Sequence, residues 1–141
     1  MRTGRLGWLV ACAIAAAACG GGDDSSPVET APATTIHAAG SSGVIAFDVT
    51  PDAAVLTGKN VFRVCLTSVT SGAEVDGAAL EVTCGMPGMD HASPTPTVAP
   101  EAMGCFRVDG VLFGMAGTWM LHVHAKTTMA EDETSVSYDV Q

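Results

Sequence analysis

The chain has 141 residues, 6 basic against 15 acidic, and a formal charge of −9, so a phosphate backbone or an anionic bilayer would repel it and nucleic-acid binding is excluded. Aromatic residues make up only 5 % of a chain that is 48 % hydrophobic, so any core must be built mainly from aliphatic side chains. The length allows one small domain once the ends are set aside.

The N-terminus reads as a targeting segment. Arg2 and Arg5 precede an apolar run from Leu6 to Ala18, shorter than the roughly 20 residues that a membrane-spanning helix needs. The run ends in Ala16-Ala17-Ala18-Cys19, and Gly20-Gly21-Gly22-Asp23-Asp24 follows. Small residues before a cysteine, with a polar tether behind it, resemble a bacterial lipoprotein signal. Residues 1–18 are therefore expected to be removed and Cys19 to be lipidated, anchoring the chain in the cell envelope facing the periplasm, with the outer membrane favoured. Leu9-Val10-Ala11-Cys12 also fits a lipobox but would leave too short an apolar core. Ala16-Ala17-Ala18 would equally serve an ordinary signal peptidase. Without Arg2 and Arg5 the formal charge deepens from −9 to −11.

Residues 19–42 are rich in Gly, Ser, Thr, Ala, Pro and acid and read as a linker, with His37 solvated and without a role. The domain is expected over 43–141. Its hydrophobic residues recur with period two, the mark of strands. Ile45, Phe47 and Val49 alternate up to Thr50-Pro51, and Phe62, Val64 and Leu66 form the next inward set. Ser71-Gly72 and Asp76-Gly77 are turns, after which Leu80 and Val82 continue inward. Residues 85–103 hold four prolines and read as a long loop. Phe106 and Val108 resume the pattern, Val111 to Met115 continue it into a strand or turn, and Trp119, Leu121 and Val123 follow. Val136, Tyr138 and Val140 close it. The expected fold is all-β, an immunoglobulin-like antiparallel β-sandwich of about seven strands, with Trp119 as its central anchor.

Three cysteines follow Cys19: Cys65, Cys84 and Cys105. Outside the cytoplasm a disulfide is favoured. Cys65 and Cys105 share the outward parity, and a cross-strand bridge between them is the first expectation; Cys84–Cys105 is the alternative. Cys84 has the inward parity and reads as a buried small hydrophobe or a neighbour of a metal site.

The segment Met86-Pro87-Gly88-Met89-Asp90-His91 carries most of the chemistry. Thioether and imidazole donors on a tight turn suit Cu(I) better than a hard cation. Four of the six methionines beyond residue 19 fall between positions 86 and 115, which favours a functional cluster over chance. The candidate ligands are Met86, Met89 and His91, completed by Met115 or Met103. The plainer reading makes the methionines apolar plugs at one end of the sandwich, with His91 in solvent. His122 and His124, two apart and on one strand face with Glu81 opposite, form a second candidate, for Cu(II) or Zn(II). Catalysis has no motif to support it: Asp90-His91 gives no triad geometry, and no nucleophile elbow, phosphate loop or dinucleotide fingerprint occurs.

Several segments resemble YtkA-like domains. These are Thr57-Gly58-Lys59-Asn60-Val61-Phe62-Arg63-Val64, Gly77-Ala78-Ala79-Leu80-Glu81-Val82 with the Met86-to-His91 loop, Gly104-Cys105-Phe106-Arg107-Val108, and Phe113-Gly114-Met115-Ala116-Gly117-Thr118-Trp119. The last resembles a Met-x-Gly-x-Trp signature; Phe106 stands where the family tends to have tyrosine, and the cysteines are extra. The resemblance implies an immunoglobulin-like fold. It also implies a non-catalytic envelope role linked to copper handling or delivery, because such domains are similar to FixH proteins of respiratory-oxidase assembly and recur beside metal-efflux adaptors. An oxidase-assembly or efflux protein is then the expected partner. The alternative is an envelope interaction module without metal.

Overall fold

A computed structural model of the chain describes residues 33–89 and 93–141. The expected signal peptide, Cys12, Cys19 and His91 lie outside the described residues. Those residues form eight strands and no helix. They are β1 (Ile36–Ala39), β2 (Ile45–Pro51), β3 (Gly58–Ser68), β4 (Ala79–Gly85), β5 (Thr97–Pro100), β6 (Cys105–Phe113), β7 (Gly117–Lys126) and β8 (Glu131–Val140).

All pairings are antiparallel. One sheet has the order β1-β2-β3-β6-β5 and the other β4-β7-β8. Without β1, these orders are those of a constant-type immunoglobulin sandwich. The inward parity read from the sequence holds: Ile45, Phe47, Val49, Phe62, Val64, Leu66, Val82, Val108, Leu121 and Val123 are all buried between the sheets. Their alternation leaves polar residues outside, which is what fixes each strand's register. In β6 the buried set changes from Phe106 and Val108 to Val111 and Phe113. A one-residue bulge at Gly110 causes the change, since Asn60 pairs Val111 while Val61 pairs Asp109.

Three expectations need correction. The linker was expected to reach residue 42, but β1 lies within it and pairs with β2, Ile36 opposite Val49. His37 is exposed, as expected, yet its Nδ1 lies 2.6 Å from Asp48 Oδ1. Residues 85–103 are not all loop, because β5 pairs with β6. These two short edge strands account for the additional strand pairing. Trp119 is buried, but the largest fully buried side chains are Phe47, Phe62 and Phe113. Its ring packs on Phe113 with centroids 5.3 Å apart, towards one end of the sandwich. Phe113 and Tyr138 both lie against Phe62. Burial pushes the Tyr138 phenol up to about 12, and among the described residues its hydroxyl has no hydrogen-bond partner.

Cys65 and Cys105 are bonded to each other across β3 and β6. Cys84 is free and buried, with its thiol 3.7 Å from the Leu112 carbonyl. The first of the two expected pairings is therefore the one formed.

Candidate functional site

Two places gather the chemistry. The first is the end of the sandwich where β4 leaves its sheet. Met86 follows Gly85 with inward parity and packs against the core. The Met89 N–H donates to the Met86 carbonyl at 3.2 Å, closing a four-residue turn. Pro87 suits its second position, and Gly88, at φ 80°, supplies the positive φ needed at its third.

The facing wall is the segment between β6 and β7. The Trp119 indole N–H donates to the Met115 carbonyl at 2.9 Å, so the backbone of Met115 fixes the ring. Gly117 has φ 140°, and a side chain on it would lie 2.6 Å from the Met86 methyl. That is a physical account of the Met-x-Gly-x-Trp spacing: the glycine gives the turn its conformation and leaves room for Met86.

Between the walls lies a groove of about 180 Å³, lined by Met86, Met89, Ser93, Pro94, Leu112, Gly114, Met115 and Trp119. Met89 and Met115 are half exposed. The Ser93 hydroxyl is committed to the Leu112 carbonyl at 3.5 Å. Among the described residues no carboxylate lines the groove, and the soft donors they offer are thioether sulfurs.

Three of the expected ligands, Met86, Met89 and Met115, are thus brought together. Met103 is not. It lies in the turn before β6, whereas Leu112 and Met115 lie at and beyond the far end of that nine-residue strand, roughly 30 Å along it. The sequence reading missed Leu112 and Pro94, which reach the groove only because β6 and the segment before β5 cross the end of the core. Trp119 was read as core alone.

The second place is the outer face of the three-stranded sheet. Glu81 lies directly opposite His124, as expected. On the other side His124 faces Glu133, and His122 lies between Thr83 and Ser135. Together they line a shallow cavity of about 600 Å³, with Ala39 and Ser41 at its rim. His124 Nε2 lies 2.8 Å from Glu131 Oε1, and His122 Nδ1 lies 2.7 Å from Ser135 Oγ. The hydrogen bond from His124, with Lys126 in support, holds the Glu131 carboxyl below the usual range. Among the described residues, no three His, Cys, Asp or Glu side chains converge as a formed metal site. Glu133 and Ser135 were missed, although the period-two pattern of β8 places them on this face.

The sheet orders and the end groove define an immunoglobulin-type sandwich module with a small apolar notch. Its family is given by the sequence: residues 41–124 match the family model described as YtkA-like, and the chain belongs to that family. It is thereby a domain of the bacterial envelope type. No curated protein and no solved structure matches the chain.

Proposed function

We propose that this is a non-catalytic, lipid-anchored envelope domain that binds Cu(I) in the methionine groove, for handling or delivery to an oxidase-assembly or metal-efflux partner. One observation carries the reading: Met86 and Met89 on one side and Met115 on the other line a single apolar groove beside Trp119. Thioethers are soft and neutral, so they suit a monovalent soft ion and release no proton on binding it. Outside the cytoplasm they also endure better than a thiol, since a thioether cannot be oxidised to a disulfide. His91, two residues beyond Met89 in the sequence, would add an imidazole. Copper here is cargo, and no bond is made or broken in the protein.

Titration of the full chain with Cu(I), held reduced by ascorbate so that the disulfide survives, should show one ion per chain. Met86→Ala with Met89→Ala should weaken it by about tenfold or more. An unchanged affinity would remove the proposal and leave an apolar notch fit for a partner's side chain, the metal-free interaction reading. The anchor is tested separately. Cys19→Ser should abolish incorporation of a labelled fatty acid into the chain, and a variant that still incorporates it would exclude Cys19 as the lipidated residue.

A further inference from the structure

We propose that the outer face of the β4-β7-β8 sheet is a second site, for a borderline divalent ion of the Zn²⁺ type, held by His122 and His124 with Glu81 and Glu133. Register supplies the geometry. Glu81, His124 and Glu133 occupy one row across three adjacent strands. Directly opposite neighbours have Cβ atoms about 5 Å apart, so both carboxylates can reach over the central imidazole. His122 lies two residues along the same strand face, about 7 Å away, and its ring can lean into the same space. All four line the cavity of about 600 Å³.

Charge supplies the reason to bind. Lys126 is taken up by Glu131 at 3.3 Å. Among the described residues neither Glu81 nor Glu133 has an ion-pair partner. Two uncompensated carboxylates therefore flank the imidazole, and a dication would neutralise both. In this arrangement His124 is turned to Glu131 and His122 to Ser135, so the four side chains do not converge. Closing the site needs only rotation of surface side chains. Mixed imidazole and carboxylate donors select Zn²⁺ or Cu²⁺ over Cu(I), which prefers sulfur, and over Ca²⁺ or Mg²⁺, which prefer oxygen alone. This site is independent of the methionine groove: His124 is five residues along β7 from Trp119 and projects from the opposite face of the sheet.

Calorimetric titration of the full chain with Zn²⁺ decides it. One ion per chain is expected, with binding weakened about tenfold or more in His124→Ala and in Glu81→Gln with Glu133→Gln. Met86→Ala with Met89→Ala should bind Zn²⁺ as the parent does. All these positions but Met86 are on the surface, and circular dichroism checks that each variant is folded. Absence of stoichiometric Zn²⁺ binding, or unchanged affinity in either outer-face variant, overturns the proposal.

Discussion

Replacing Asp132 with alanine should destabilise the domain by about 3–5 kcal/mol, a large share of what a small domain possesses. Asp132 is only 2 % exposed. One oxygen, Oδ1, accepts from the Ser42 and Glu133 amides at 2.8 and 3.0 Å. The other, Oδ2, accepts from Val44 and Ile45, both at 2.9 Å. The carboxylate thereby ties the β1–β2 turn to the start of β8, joining the two sheets at one end. No cation faces it among the described residues; amide dipoles alone hold the charge. Gly40 has no side chain because a Cβ there would strike the Asp132 carboxylate. Alanine would strand four donors, and asparagine would turn an N–H₂ towards two of them. Denaturant midpoints measure the loss, and a change below about 1 kcal/mol would show that water replaces the carboxylate.

The same group gives the stability a pH dependence. Burial alone would push the Asp132 carboxyl up, but the amides of Ile45, Ser42, Val44 and Glu133 outweigh it and bring it down to about 2, from 3.8. The folded value lies below the unfolded one. Its contribution is therefore complete above about pH 4 and is lost as the pH falls towards 2, on the order of 2 kcal/mol in all. Asp132→Asn should flatten the stability curve in that window while lowering it everywhere above.

The strands that carry the core were legible because their parity is strict, as in Ile45-Ala46-Phe47-Asp48-Val49. The edge strands were not. In β1 the side chains are only half buried or exposed, so Ile36-His37-Ala38-Ala39 shows no alternation strong enough to separate it from linker. In β5, Pro100 ends a four-residue strand whose pairing with β6 is a tertiary fact. The methionine loop could be read as a tight turn of soft donors, since Pro87 and Gly88 dictate the turn locally. Which methionine completes the groove could not: Met103 and Met115 flank the same strand, and only the direction of β6 separates them. Asp132 was passed over although its inward parity in β8 was a signal, an acid where the pattern calls for an apolar residue.

Replacing Cys65 and Cys105 together with alanine should lower stability by about 4 kcal/mol on the chain-entropy estimate for a cross-link of this span. The two residues are 40 apart in sequence and directly opposite in adjacent, central strands of the five-stranded sheet. They lie on its outer face, with Val64 and Phe106 filling the core beside them. Losing the bridge therefore opens no cavity, and its effect falls on the unfolded chain, which regains the freedom of a long loop. Unfolding should stay cooperative with the midpoint shifted down, and dithiothreitol should bring the parent close to the variant. A shift smaller than about 1 kcal/mol would mean that the unfolded chain is already constrained near this pair. The groove lies at the other end of β6, built by Leu112, Met115 and Trp119 against Met86. At temperatures where the variant remains folded, its affinity for Cu(I) should match the parent's, which separates a disulfide that supports the domain from one that shapes the site.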